Sequence, residues 1–325
     1  MEIFKKPEKF VPRQLPLKRV KEQESKRVKG GGKWIFIFFA GTIILTLGLW
    51  AYGSLKTGTG FQKIINPQVV PTPTPTPIPK KTIEVTLEIS DLVKNLKGEY
   101  GIYVFNLTTK QGYGVNEDEI FPAASLIKLP VFLTLYQEAE AGRIDLSSKY
   151  TLKNSDKQAG AGGMQYKSAG TVYTYRQVAE LMGKQSDNTA FFILRKILGD
   201  EKIQKTIDNL GMTKTSLVKN ETTSQDLGLF FRKLYAGSIV SREHRDEILG
   251  YLTETFDETR IPAGVPEGTR VCHKIGTDIG VISDAGIVFS PKPFILVIMS
   301  KNVKEKEAKE VLPKITEAVW EFETE

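Results

Sequence analysis

Residues 280–300 read GVISDAGIVFSPKPFILVIMS, two apolar runs rich in Val, Ile and Phe that are parted by Ser290-Pro291-Lys292-Pro293. Branched and aromatic side chains suit a pleated surface, and the prolines cannot continue either ladder. The stretch therefore predicts two strands, Gly280 to Ser290 and Pro293 to Ser300. Two further strand-like runs, Gly101 to Leu107 and Gln111 to Asn116, stand well upstream. Between them the apolar period changes to that of helices, at 126–141, 174–183, 187–198, 224–236 and 241–251, and another helix closes the chain at 304–322. Early and late strands enclosing helices predict one antiparallel sheet completed by both ends of the domain. The helical insertion packs against it, giving an α+β fold of two lobes. No internal repeat is visible.

Upstream of this region the composition changes twice. Residues 34–55, WIFIFFAGTIILTLGLWAYGSL, run for 22 positions without a charge, enough for a helix to cross a hydrocarbon core. Residues 71–79, PTPTPTPIP, build neither helix nor sheet and favour an extended polyproline rod. The chain is thus divided into a basic tail (1–33), a transmembrane helix (34–55), a Pro/Thr-rich spacer (56–82) and a globular domain (83–325). The formal charge of +7 resides in the tail: residues 1–33 carry 11 Lys and Arg against 4 Asp and Glu, leaving 34 of each for the remainder. Positive charge before the span and near neutrality after it predict a cytoplasmic tail and an extracytoplasmic domain at the cell membrane. The rival is a cleaved signal peptide with Ala51-Tyr52-Gly53 as the site, against which the long basic leader and long apolar run argue. A basic tail explained by topology and anionic lipid gives no case for nucleic acid.

One cysteine, Cys272, excludes an internal disulfide framework and a Cys-rich zinc site, and is read as buried packing. The two histidines, His244 and His273, form no metal-binding spacing, so no metal or other cofactor is implied; His273 reads as a half-buried strand residue. Hydrolytic chemistry without a placed histidine needs another base. Ser125-Leu126-Ile127-Lys128 opens a strongly helical segment, so Ser125 and Lys128, three positions apart, share a face. A lysine activates a serine hydroxyl when burial or nearby positive charge lowers its pKa. The helix start supplies free N–H groups suited to an oxyanion. Ser216-Leu217-Val218-Lys219 has the same spacing, so the motif alone decides little. Its company decides more: Ser186-Asp187-Asn188 at a helix start, and Lys274-Ile275-Gly276-Thr277 beside the late strands.

Ser-x-x-Lys, Ser-Asp-Asn and a Lys-x-Gly strand in this order resemble the class A β-lactamases and their penicillin-binding relatives. The likeness spans about residues 85–325, including LMGKQSDNTAFFILRKILG at 181–199, TTSQDL at 222–227 and RIPAGVPEGTRVCHKIGT at 260–277. It implies an antiparallel sheet flanked by N- and C-terminal helices plus an all-helical lobe. It also implies Ser125 as the nucleophile that takes the acyl group, with Lys128 accepting its proton directly or through a water. Ser186 passes a proton to the leaving nitrogen, lying between Lys128 and Lys274. Asn188 orients the substrate's side-chain amide, Lys274 attracts its carboxylate, and Gly276 and Thr277 line the binding strand. The N–H groups of Ser125 and Thr277 form the oxyanion hole, and Asp187 braces the loop. Arg260, 14 residues before Lys274, is either a second anion contact or an exposed turn residue.

Two departures from the family pattern bear on function. Ile275 replaces the usual hydroxyl residue after the lysine. The long loop that carries the water-activating Glu is cut short: LGMTKTSLVKNE leads at once into Thr222-Thr223, so Glu221 is either the deacylation base or the acidic residue before that pair. The expected activity is a serine β-lactamase. Two rivals share its acylation step, a D-alanyl-D-alanine peptidase or transpeptidase acting on cell-wall peptide and a domain that retains the acyl group.

Overall fold

The computed structural model describes residues 80–325; the basic tail, the 34–55 segment and the spacer up to residue 79 lie outside the described residues. The predicted late strands are β8 (Val281–Phe289) and β9 (Phe294–Lys301). They pair antiparallel, with Ala285 opposite Val297, and belong to a five-stranded sheet of order β2-β1-β9-β8-β7. β1 (Glu99–Asn106) and β2 (Gly112–Val115) complete one side, and β7 (Arg270–Asp278) forms the other edge. Pairing of β1 with β9 joins the two ends of the domain, as the strand distribution predicted. The strands read as almost continuous apolar runs because helices cover both faces of the sheet.

On one face lie α1 (Lys80–Val93) and α8 (Glu305–Thr324), enclosing a core that includes Ile89, Ile298 and Ile315. α1 escaped the periodicity reading for a physical reason. Ile83, Val85, Leu87 and Ile89 alternate with polar residues as a strand would, yet the segment is helical. Val85, Ile89 and Val93 turn inward while Ile83 and Leu87 remain 48% and 61% exposed. Packing along α8 overrides the local alternation. The helix also draws its first three residues from the stretch assigned to the spacer.

The second face carries α6 (Ser224–Ala236) and the helical lobe around α2 (Lys128–Glu140). α2 is buried nearly all round, with Leu129, Phe132, Leu133 and Tyr136 fully enclosed, which marks it as the axis of the larger core. The lobe adds α3 (Tyr175–Lys184), α4 (Asn188–Leu198), α5 (Asp200–Leu210) and α7 (Arg242–Tyr251). α5 was not delineated from sequence. Gly199, at φ 81°, separates it from α4, Asp200 and Glu201 favour its N-terminus, and Gly211 ends it in the left-handed region at φ 79°. Ile203, Ile207 and Leu210 supply its buried stripe.

Two short pairs pin the loops between the lobes. β3 (Phe121–Pro122) pairs with β6 (Glu221–Thr222), and β4 (Lys149–Thr151) pairs with β5 (Val172–Thr174). The β3–β6 pair delivers the chain to Ser125. Residues Ala124–Ile127 form a 3-10 turn ahead of α2, so the helix predicted to begin at 126 begins at Lys128. β7 lies directly against that turn: a methyl group on Gly276 would stand 3.0 Å from the Ala123 carbonyl oxygen and 3.1 Å from Leu126 Cγ. Among the described residues no helix is long and apolar enough to cross a membrane.

Candidate active site

At the junction of the sheet edge and the helical lobe is a cleft of about 490 Å³, lined by Ser125, Lys128, Asn188 and Thr277 among others. Ser125 comes from the 3-10 turn, Lys128 from the first position of α2, Asn188 from the start of α4 and Thr277 from β7. Three short sequence stretches far apart in the chain therefore meet at one place.

Lys128 is 2% exposed, and its amine donates to the Ser186 carbonyl oxygen at 2.6 Å, Asn188 Oδ1 at 2.8 Å and Ser186 Oγ at 3.3 Å. Lys274, 1% exposed, donates to Ser186 Oγ at 2.7 Å and to the Ile275 carbonyl oxygen at 3.2 Å. The Ser186 hydroxyl thus lies between two amines. Burial lowers the Lys128 pKa from 10.5 to about 8, against the opposing pull of Asp187. Lys274 is lowered well below its ordinary value by burial first and then by the Lys128 charge, with Asp284 opposing. Ser125 itself is half-buried at the cleft, and its hydroxyl has no hydrogen-bond partner among the described residues.

The backbone around the cleft is strained. Ala124, Ser186 and Asn220, none of them glycine, hold φ values of 47°, 51° and 56°. Each such residue costs on the order of 1–3 kcal/mol and persists only where its surroundings overdetermine it. For Ser186 the cause is Asp187, fully buried. Its carboxylate accepts the Met164 N–H at 2.8 Å and, as N-cap of α4, the Ala190 N–H at 2.9 Å. Gly162 passes so close that a methyl group there would sit 2.2 Å from Asp187 Oδ2. Bracing, the role expected of Asp187, matches these contacts.

Arg260 is not an exposed turn residue. It is 2% exposed, and its guanidinium donates to the carbonyl oxygens of Gly276 (3.0 Å) and Ser283 (2.6 Å) and to Thr277 Oγ1 (2.6 Å). Its charge stands behind the hydroxyl of Thr277 at the cleft wall. His273 also departs from expectation, being wholly buried where a half-buried residue was predicted. One ring nitrogen is 2.9 Å from both oxygens of buried Asp284, and the other is 3.1 Å from Glu258. Burial alone would lower its pKa, but the two carboxylates outweigh it and raise the value to about 9. Asp284 also accepts the Ile261 N–H, so the ion cluster ties the loop carrying Arg260 to the sheet. Cys272 is buried, as read from sequence, and lies 2.9 Å from Thr253 Oγ1.

The network does not include Glu221. Pairing of β6 with β3 sets Glu221 opposite exposed Pro122, while Thr222 opposes buried Phe121. The Glu221 carboxylate has no hydrogen-bond or ion-pair partner among the described residues. Leu217, Val218 and Asn220 line the cleft instead. The decoy Ser216 and Lys219 lie off any helix: Ser216 bridges Glu221 through its backbone and Lys219 is exposed. Phe191 and Phe192, which sequence reasoning left unassigned, also line the cleft. Their only sequence signal was position, three and four residues beyond Asp187-Asn188 on a helix.

Residues 84–322 match the model of the beta-lactamase enzyme family. The chain is similar to Beta-lactamase VEB-1 of Pseudomonas aeruginosa, at 24% identity covering 72% of this chain and 87% of that protein. Among solved structures, PBP-A aligns with TM-score 0.70 and 29% identity, covering 73% of this chain and 95% of PBP-A. The β-lactamase of Sphaerobacter thermophilus aligns with TM-score 0.70 and 25% identity, at 73% and 95% coverage. A mutant form of PBP-A was solved as an acyl-enzyme complex with penicillin G, and it aligns equally well at TM-score 0.70 and 29% identity, covering 74% of this chain and 96% of its own.

Proposed function

The chain belongs to the beta-lactamase enzyme family, and from that premise we propose that it is a serine β-lactamase opening the lactam amide through an acyl-enzyme on Ser125. The observation that carries the reading is the Ser186 hydroxyl held between Lys128 at 3.3 Å and Lys274 at 2.7 Å, beside a serine free to react. Neutral Lys128 takes the proton of Ser125 Oγ as that oxygen bonds to the lactam carbonyl carbon. The N–H groups of Ser125 and Thr277 receive the oxyanion. On collapse the C–N bond breaks, and the ring nitrogen takes a proton from Ser186, which is resupplied from its neighbouring amine. Lys274, Thr277 with Arg260 behind it, and the Gly276 strand hold the substrate carboxylate. Asn188 orients its side-chain amide. Water then cleaves the ester and restores Ser125.

A specific observation favours the cell-wall peptidase as a second reading: among the described residues no glutamate lines the cleft, and Glu221 instead pairs through its backbone with Pro122 just before Thr222-Thr223. The full-length protein mixed with a chromogenic cephalosporin and followed by intact mass separates the two. Steady colour release with a transient adduct is the expected result, and Glu221→Gln is expected to leave adduct lifetime little changed. Accumulation of adduct in Glu221→Gln would give the release step to that carboxylate. A lasting adduct in the unaltered protein would shift the assignment to a penicillin-binding peptidase or a domain that retains the acyl group.

We also propose that residues 34–55 anchor the enzyme in the cell membrane as a single span, with the catalytic domain extracytoplasmic. What supports this is the uncharged run of 22 residues behind a basic tail. The full chain is expected in membrane fractions and resistant to carbonate extraction. Its recovery in the soluble fraction as a shortened chain would indicate signal cleavage instead.

A further inference from the structure

Where the first turn of α1, the last turn of α8 and the turn between β1 and β2 come together, a second cavity of about 290 Å³ shares no lining residue with the catalytic cleft. Asn106, Tyr113, Lys292 and Glu323 are among the residues that line it. We propose that this cavity binds a small zwitterion of the free amino-acid type, its ammonium group on Glu323 and its carboxylate toward Lys292.

The argument begins with the placement of Glu323. Its side chain is buried, 4% exposed, in the last turn of α8, where the helix dipole disfavours negative charge. Lys292 draws its pKa down from a distance, but no cation among the described residues forms an ion pair with it. The neighbours define its protonation state. Asn106 Oδ1 accepts the backbone N–H groups of Thr108 at 2.8 Å and Thr109 at 2.7 Å, which fixes the amide and leaves Nδ2 to donate to Glu323 Oε2. The Tyr113 hydroxyl donates to Oε1 at 2.9 Å. Burial and the Glu323 charge both raise the Tyr113 pKa, so that proton stays on the phenol. Both carboxylate oxygens therefore accept and neither donates, the pattern of an ionised group. Burial pushes the other way and raises the Glu323 pKa. A buried charge is ordinarily paired, and two neutral donors leave this one without a counter-charge. A cation in the cavity resolves the conflict.

The remaining lining residues narrow the class of cation. A metal ion needs several oxygen donors, yet Asn106 Oδ1 is spent on two backbone groups, and the described residues hold no cluster of three His, Cys, Asp or Glu that could bind one. An ammonium group asks for less: one carboxylate and neutral acceptors such as the hydroxyls of Thr82 and Thr108, which also line the cavity. Lys292, exposed and the one cation among the lining residues, opposes a ligand of net positive charge and favours one that carries its own carboxylate. The volume lies at the small end for ligand pockets, in keeping with a molecule of amino-acid size.

Equilibrium dialysis of the full-length protein, in detergent, against isotope-labelled L-alanine tests the site. Ethylamine and propionate, which each lack one of the two charged groups, serve as competitors. Saturable binding of alanine is expected, with each competitor weaker by about tenfold or more. Glu323→Gln and Lys292→Met are each expected to weaken alanine binding by about tenfold or more while leaving the circular-dichroism spectrum unchanged. Lys292 is exposed, so its replacement tests the site without disturbing the core. Absence of saturable binding, ethylamine binding as tightly as alanine, or alanine binding undiminished in Lys292→Met would each overturn the proposal.

Discussion

Ser125→Ala is expected to abolish covalent capture of β-lactams and to lower turnover by ~10⁴–10⁶-fold, the loss seen when a nucleophile is removed from a site whose remaining groups still bind substrate. The folded state should be little affected. The Ser125 hydroxyl has no hydrogen-bond partner among the described residues, so its deletion strands no buried group. The oxyanion donors survive as well, since one of them is the backbone N–H of residue 125, and Gly276 still holds β7 against the turn. Substrate should therefore still bind while the intact-mass adduct disappears. Undiminished adduct formation in Ser125→Ala would exclude this serine as nucleophile. An altered urea midpoint accompanying the loss would show instead that the turn before α2 had been disturbed.

What the sequence revealed of the site was the cluster of side chains that the fold brings together at the cleft. Ser125, Lys128, Ser186, Asn188 and Lys274 were legible because each stands in a short motif whose spacing is itself chemical. A turn places Ser125 and Lys128 together, and an N-cap places Ser186 and Asn188 at the head of α4. The supporting charges were less legible. His273 pairs with Asp284 across two strands and with Glu258 on a loop, and Arg260 reaches carbonyl groups 16 and 23 residues away. No local pattern encodes such contacts, which exist only once the sheet has formed. The fold shows the same division. Strands β8 and β9 announced themselves by composition, whereas α1 carries a strand's alternation and becomes a helix because α8 offers a surface for one face only. Glu221 stayed ambiguous in sequence because the shortened loop removes the neighbours that would fix its register. The β3–β6 pair supplies that register.

Lys128→Met should produce the second large loss and reveal why the lysine is held as it is. In the proposed role of general base, Lys128 acts only when neutral. Its pKa, lowered by burial to about 8, makes the acylation rate fall about tenfold for each pH unit below that value. Methionine keeps most of the side-chain volume without the amine. Acylation is expected to drop by ~10²–10⁴-fold and to lose the pH limb near 8. A variant that retained the limb would remove Lys128 from the role of base. The same substitution should also change how stability depends on pH. An amine whose folded pKa lies below its unfolded value of 10.5 penalises the folded state in full below about pH 8, less between 8 and 10.5, and not at all above. Relieving that penalty is worth up to about 3 kcal/mol, and the three hydrogen bonds that Ser186 and Asn188 lose, at about 1 kcal/mol each, nearly cancel it at neutral pH. Urea titrations should thus show Lys128→Met about as stable as the unaltered protein at pH 7 and increasingly less stable toward pH 10.5. Far less activity with no loss of stability at pH 7 is the expected signature of a lysine buried for its chemistry, and removal of its charge should also let Lys274, whose pKa that charge depresses, hold its proton more firmly toward the substrate carboxylate.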